Sequence, residues 1–471
     1  MEKTYDVLVI GGGPGGTPAA MALAQGGKRV LLVEAAAGLG GTCLFEGCIP
    51  SKILHETAGR MREITRAGEF GIHLPHPLVQ LDWQKLQARK RAILQRRATA
   101  AIQRASRLRT LELQFGRARL LGPRRALVKP HNGDIFEVAF DSAILATGSS
   151  ANPLPVPGGD LPQVFSSEAI LDAPCIPERL VVIGGGPIGV EVAQMFHALG
   201  SDVSLMQRGP RILPGVDEEL AVILQQHLIN QGIKLYLGCN VKRVCHTGQG
   251  VFVQYDVDGG CDQLYATAVL AAVGRRPNVE GLGLEQTTVA LAHRAIVVDE
   301  TLQTTEPGIY AVGDVTGSPM FAHWATAQGL ALAAHLLGRE RPAFPRPEHN
   351  SAVIFSVPEF AMAGLTRQQA VEAGFEVCVA RYDFSGDARA QIGGHDSGLL
   401  KIYYDRIERR VLGVQALVEG AAALVGEAAL LIRAGLTLDE IAETVHPHPT
   451  LSESFVSAAR AVLMEHPHQC L

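Results

Sequence analysis

The chain has little cysteine, eight residues in 471. That is too sparse for the disulfide framework of a small secreted protein. It has no surplus of positive charge either, with 42 Lys and Arg against 47 Asp and Glu and a formal net charge of -5. No bulk positive field is present to gather nucleic acid. Long apolar runs are also missing. Of the two most apolar helical stretches, residues 325–337 are short and residues 421–436 are broken by Glu427 and Arg433, so no membrane span is expected. Met1 leads through Asp6 straight into the strand-like run Val7-Leu8-Val9-Ile10. A basic, apolar, small-residue targeting pattern does not precede it, and a soluble, cytoplasmic protein is expected.

What the chain has in quantity is glycine, 51 residues, as suits a backbone that must approach phosphates closely. Hydrophobic residues at 47% and charged residues at 19% place it among globular proteins. Its length suggests about three domains. One segment occurs twice. Val7-Leu8-Val9-Ile10-Gly11-Gly12-Gly13-Pro14-Gly15-Gly16 is echoed by Leu180-Val181-Val182-Ile183-Gly184-Gly185-Gly186-Pro187-Ile188-Gly189. Each copy is an apolar strand running into a glycine turn, then a helical stretch, then a second strand. Two βαβ units predict an α/β fold with two dinucleotide sites. Pro- and Gly-rich stretches at residues 152–162 and 341–347 read as linkers, and from Val353 onward the pattern becomes α+β.

The first fingerprint is Gly11-x-Gly13-x-x-Gly16, with Glu34 ending the next strand. Gly11 permits the turn, Gly13 lets the backbone approach a pyrophosphate, and Gly16 lets the helix pack on the strand. An acidic residue about twenty positions on accepts from a ribose diol. The second fingerprint is Gly184-x-Gly186-x-x-Gly189, but its strand ends at Gln207 followed by Arg208, with Arg211 nearby. A glutamine hydrogen-bonds a diol without repelling a 2′-phosphate, so NAD and NADP both stay open here.

Between the two lies Gly40-Gly41-Thr42-Cys43-Leu44-Phe45-Glu46-Gly47-Cys48-Ile49-Pro50-Ser51-Lys52. A close cysteine pair in a reducing compartment points to redox catalysis rather than structure. A helix starting just after Cys48 lowers the pKa of that thiol. Near the other end, His446-Pro447-His448-Pro449-Thr450-Leu451-Ser452-Glu453 offers an imidazole and a carboxylate suited to making thiolates. Cys175, Cys239, Cys245, Cys261, Cys378 and Cys470 show no chemical spacing and read as plain thiols. Residues 81–108 read as a helix rich in Arg and Lys. Either its basic face is simply solvated, or it docks an acidic partner.

Taken together, these motifs resemble the dihydrolipoamide dehydrogenase branch of the flavin disulfide reductases, from residue 5 to about residue 457. The matching pieces are the cysteine run above, Ala146-Thr147-Gly148, the second fingerprint with Glu191, Gly274-Arg275-Arg276-Pro277-Asn278, residues 308–323, and the His-Pro-His-Pro-Thr-Leu-Ser-Glu run. The resemblance implies an FAD domain over 1–150, an NAD(P) domain over 151–272, a central domain over 273–346 and a dimerisation domain over 347–471. It implies FAD held by Gly11, Gly13, Gly16, Glu34, Gly41, Thr42, Thr147, Gly148, Gly274, Arg275, Gly313, Asp314, Ala322 and His323. NAD, with NADP as the alternative, is expected at Gly184, Gly186, Gly189, Gln207 and Arg208.

The same resemblance implies that Cys43 is attacked by substrate, that Cys48 lies against the flavin, and that Lys52 pairs with Glu191. His448, oriented by Glu453, is the base on the substrate thiol. The family takes that histidine from the other subunit, so a homodimer with shared sites is implied, serving a lipoyl-bearing carrier. Three departures leave substrate and nucleotide open: Phe45-Glu46 between the cysteines, Pro187 in place of a tyrosine, and Gln207-Arg208. The alternative they support is an NADPH-dependent reductase of another small-molecule or protein disulfide. A flavin-bearing structural subunit is a third reading, opposed by the intact Cys43, Cys48, His448 and Glu453.

Overall fold

The computed structural model describes residues 3–73, 79–257, 259–340 and 343–465. Cys470 and the start of the 341–347 linker lie outside them. The chain divides into two compact units, each assembled from separated segments. The first comprises Met1–Pro153, Phe165–Ile176 and Val273–Pro345, and the second Leu154–Val164, Pro177–Ala272 and Arg346–Leu471.

The first unit is built on a six-stranded sheet. Strand Lys3–Ile10 is central, flanked in parallel by Val30–Glu34 and Phe136–Leu145. Leu111–Gly122 adds beside Val30–Glu34, and Ile309–Ala311 adds beside Phe136–Leu145. Strand Arg125–Pro130 pairs antiparallel with both Leu111–Gly122 and Phe136–Leu145. The residues of Val30–Glu34 are all buried, as a parallel strand covered on both faces requires. Helices Gly16–Gln25 and Ala322–Leu336 pack together over one face. Leu8, Leu31, Val33 and Leu145 form the core on one side, and Val7, Val9, Leu32 and Ile144 on the other.

The second unit repeats the motif. Strands Lys234–Leu237, Asp202–Gln207, Arg179–Ile183 and Ala268–Ala271 lie side by side in that order, all parallel. A five-stranded antiparallel sheet follows, running Ser351–Ile354, Phe360–Gly364, Val411–Leu417, Leu399–Asp405, Val377–Asp383. Its core is closed by helices Ala421–Ala434, Leu438–Glu443 and Glu453–Glu465 through Leu424, Leu431, Leu438, Phe455 and Ala458. Within this unit, Lys401 of the antiparallel sheet reaches Asp217, the N-cap of helix Glu218–Asn230, at 2.7 Å, and Tyr403 donates to the same carboxylate at 2.8 Å.

The two glycine turns have the same geometry for the same reason. Gly11 has φ 108° and Gly184 φ 115°, values an L side chain rarely adopts. A Cβ on Gly16 would sit 1.9 Å from the Gly11 carbonyl oxygen, and one on Gly189 1.8 Å from that of Gly184. In both turns the third glycine is therefore demanded by helix-on-strand packing within the protein. The middle glycines differ: Gly186 has nothing within 4 Å, and Gly13 only Gly41 Cα at 3.8 Å. Their missing side chains leave open space, not a packed contact.

Candidate active site

Cys43 lies in the short helix Gly41–Phe45, and Cys48 is the first residue of helix Cys48–Arg66. The helix thus begins at the second cysteine itself, with Gly47 before it and no side chain capping its amides. Those amides, with the positive end of the helix dipole, favour a thiolate at Cys48. Neither cysteine is in a disulfide; Cys43 is half-buried and Cys48 exposed. Cys43 is hydrogen-bonded to Cys48, which together with burial and the Cys48 charge pushes the Cys43 thiol far up. Arg97 opposes that rise and Asp314 adds to it. Lys52 stands one turn beyond Cys48 on the same helix.

Glu46, between the two cysteines, is driven above the ordinary carboxylate value by burial and by Glu168 and Asp172, with Arg275 working the other way. Arg275 donates to Glu168 at 3.0 Å, and to the Ser149 hydroxyl and carbonyl at 2.8 Å each. Ser149 in turn donates to Asp314 at 2.6 Å. The chain Glu168–Arg275–Ser149–Asp314 fixes the Asp314 carboxylate. Neither Glu168 nor Ser149 carries a sequence signal; their roles come from a strand pair, Ser149–Ala151 with Arg275–Pro277, that is three residues long. Thr147 and Asn278 exchange side-chain-to-backbone bonds at 2.7 and 3.0 Å. Gly148 has φ 71° and open space around it. Gly313 donates to Gln328 at 2.7 Å, Ala322 opens helix Ala322–Leu336, and His323 stacks on Phe321.

These residues form a cradle. A Cβ on Gly41 would lie 2.7 Å from the Cα of Gly13, so two glycine backbones face each other and a side chain on Gly41 would intrude. Helix Gly16–Gln25 has no side-chain cap, so the positive end of its dipole is open to an anion. Glu34 accepts from Gly12 N and Ala36 N, which fixes a buried carboxylate at the strand end. An uncapped helix, a glycine cradle and a fixed carboxylate fit the pyrophosphate and ribose of a dinucleotide. In the second unit, helix Pro187–Ala198 likewise lacks a side-chain cap. There Gln207 replaces the carboxylate, accepting from Gly185 N at 3.0 Å. Arg211 is spent on the carbonyls of Leu213, Pro214 and Val216, whereas Arg208 is exposed.

His448 and Glu453 belong to the second unit, as does Glu191, whose carboxylate accepts from Phe355 N at 3.0 Å. His448 Nδ1 lies 3.0 and 3.2 Å from the Glu453 oxygens. The amide of Thr450 holds that carboxylate at 2.8 Å, and this bond, then His448, keeps Glu453 below the usual carboxylate range. With Nδ1 occupied, Nε2 is the outward nitrogen, and the imidazole is 73% exposed. A second pair, missed in the sequence, stands beside it: His446 Nε2 meets Glu427 at 2.7 Å. Of the remaining cysteines, Cys175, Cys239, Cys245 and Cys261 are free thiols. Cys378 is disulfide-bonded, contrary to expectation. No cluster of three or more metal-ligating side chains, and no helix long and apolar enough to cross a membrane, occurs among the described residues.

A dithiol at a helix start, two dinucleotide cradles and a histidine–carboxylate pair are the parts of a nucleotide-linked disulfide oxidoreductase. Family models agree: the pyridine nucleotide-disulphide oxidoreductase model matches residues 5–329, and that family's dimerisation domain matches residues 350–459. The chain belongs to the pyridine nucleotide-disulphide oxidoreductase family, whose cofactors are FAD and NAD(H). It is 38% identical to a dihydrolipoyl dehydrogenase of Thermus scotoductus over 98% of both chains. It is 36% identical to dihydrolipoyl dehydrogenase 3 of Pseudomonas aeruginosa, again over 98% of both. Among solved structures it resembles LpdA of Mycobacterium tuberculosis, with TM-score 0.89 and 26% identity over 98% of this chain and 99% of that one. It also resembles the HOCl-induced flavoprotein disulfide reductase RclA of Escherichia coli, with TM-score 0.85 and 28% identity over 97% and 100%.

Proposed function

We propose that the chain is a dihydrolipoyl dehydrogenase, oxidising dihydrolipoyl groups borne by a carrier protein and passing the electrons to NAD. The observation that carries this reading is the pairing of an unequal dithiol, Cys43 and Cys48, with an outward-facing imidazole held by Glu453. When bound, FAD supplies the electron transfer that links the dithiol to the nicotinamide.

The sulfur and proton chemistry belongs to the chain's own residues. In the oxidised enzyme, Cys43 and Cys48 form a disulfide. A substrate thiolate attacks Cys43 Sγ, the Cys43–Cys48 bond breaks, and Cys48 leaves as a thiolate stabilised by the helix start. His448 Nε2 takes the proton of the second substrate thiol. That thiolate attacks the substrate sulfur of the mixed disulfide and expels Cys43. Cys43 recovers that proton from His448, so the substrate ends as a cyclic disulfide and the enzyme carries both electrons as the Cys43 thiol and the Cys48 thiolate. Glu453 keeps the imidazole in the tautomer that accepts at Nε2 and supports its cation.

In this reading Lys52 stands near the redox centre, one turn beyond Cys48, and the exposed His448 serves the partner subunit's site in a homodimer. The domain limits 1–150, 151–272, 273–346 and 347–471 follow the same reading. Adding dihydrolipoamide to the oxidised, flavin-loaded protein should create two new titratable thiols per chain with one lipoamide formed. Cys43→Ser should create none. Thiols appearing equally in that variant would sink the mechanism.

A second reading rests on Gln207. Its amide sits where Glu34 stands in the first unit, and it presents no charge against a 2′-phosphate, while Arg208 beside it is exposed. These two residues suit an NADPH-linked reductase of another disulfide, and the choice of nucleotide and disulfide separates the readings.

A further inference from the structure

Helix Trp83–Ser106 runs 24 residues. It holds Lys85, Arg89, Lys90, Arg91, Arg96, Arg97 and Arg104 and not one Asp or Glu. Lys90 is the only one of these cations turned inward, 1% exposed and bonded to Asp172. The other six are exposed, and none forms an ion pair among the described residues. Exposed cations elsewhere do pair, as Arg60 with Glu56, Lys234 with Asp202, Lys242 with Asp256 and Arg294 with Glu280.

Lys85, Arg89 and Arg96 fall four and seven residues apart, so they share one face, opposite the buried Leu86, Lys90, Leu94 and Ala98. Like charges four apart destabilise a helix, and Lys85 stands in the first turn, against the dipole. An ordinary solvated helix would intersperse acids. Here the stripe weakens its own helix in a chain of net charge -5, so its use lies outside the fold.

The helix also borders the redox pair. The missing side chain of Gly38 lets Phe45 and Ala98 converge: a Cβ there would be 2.9 Å from the Phe45 ring and 3.5 Å from Ala98. Arg97, next to Ala98, is close enough for its charge to act on Cys43.

We infer that the Lys85–Arg89–Arg96 stripe is the docking surface for an acidic protein domain that carries the dithiol substrate on a flexible arm, steering the arm to Cys43. The inference rests on the lipoyl reading above and adds where the carrier binds. Opposite charge gathers the carrier and raises its encounter rate, while the arm alone does the chemistry.

The test uses the full-length, flavin-loaded protein, free dihydrolipoamide, and a recombinant lipoyl domain of net negative charge in its dithiol form. In the Lys85→Glu, Arg89→Glu, Arg96→Glu variant, KM for the lipoyl domain should rise on the order of tenfold and lose its salt dependence. Binding followed by fluorescence anisotropy should weaken in parallel. Turnover of free dihydrolipoamide should stay within about twofold, since the neutral substrate does not feel the stripe. An unchanged KM for the domain would overturn the inference and leave the lipoyl reading intact. Loss of free-substrate turnover as well would make the stripe part of the fold, also overturning it. So would equal binding of the wild-type protein to single-stranded DNA of matched charge, which would make the helix a general anion surface. A wild-type protein inert toward free dihydrolipoamide would instead indict the lipoyl reading, and anisotropy would still decide whether the acidic domain docks.

Discussion

At the scale of single residues, the chemistry depends on how each group is held. In the proposed mechanism Cys48 gains its leaving-group character from an uncapped helix start, and His448 gains its direction from Glu453. Glu453 is held below the ordinary carboxylate value by the Thr450 amide and then by His448. A depressed native pKa means the interaction is fully present above the unfolded value, and is lost only as pH falls through the lower native one. Glu453→Gln should therefore lower kcat/KM for dihydrolipoamide on the order of a hundredfold at neutral pH. The ratio of wild type to variant should stay flat down to about the ordinary carboxylate value of 4.5 and narrow only below it. A pH–rate profile of both proteins checks this; a ratio already narrowing near neutrality would refute it. The residues of the proposed mechanism could be named from the sequence because cysteine, histidine and glutamate occur there at functional spacing. Glu168 and Ser149 were not, because their significance comes from Arg275, more than a hundred positions away.

At the scale of elements, the glycine turns separate what the fold needs from what a ligand needs. A methyl on Gly16 would meet the Gly11 carbonyl at 1.9 Å, a rigid backbone atom, whereas one on Gly13 has only Gly41 Cα at 3.8 Å. Gly16→Ala should cost about 1–3 kcal/mol or more of stability. Gly13→Ala should leave thermal stability of the apoprotein nearly unchanged while lowering flavin content. Calorimetry and flavin absorbance on the two variants measure both, and a destabilised Gly13→Ala apoprotein would contradict the distinction. The repeat predicted both turns because strand, glycines and helix are local. It could not predict that Ile309–Ala311 joins the first sheet beside Phe136–Leu145. A three-residue strand has no periodicity to read, and its partner is far away in sequence. The basic helix was legible as a helix, but its nearness to Cys43 was not, since that depends on Gly38 leaving room for both Phe45 and Ala98.

For the molecule as a whole, the chain combines a repeated βαβ pattern with the family's dimerisation domain, and the proposed function runs one flow of electrons through it, from a carrier-borne dithiol through Cys43 and Cys48 to a nicotinamide. The acceptor in that flow is chosen at the second nucleotide site, where Gln207 and Arg208 stand instead of a carboxylate. The most direct measurement is steady-state oxidation of dihydrolipoamide by the purified, flavin-loaded protein, with NAD and NADP compared at equal concentration and Cys48→Ser as control. The expected result is rapid reduction of NAD that Cys48→Ser abolishes. A flavin-loaded protein that leaves dihydrolipoamide untouched, yet reduces another disulfide with NADPH, would contradict it.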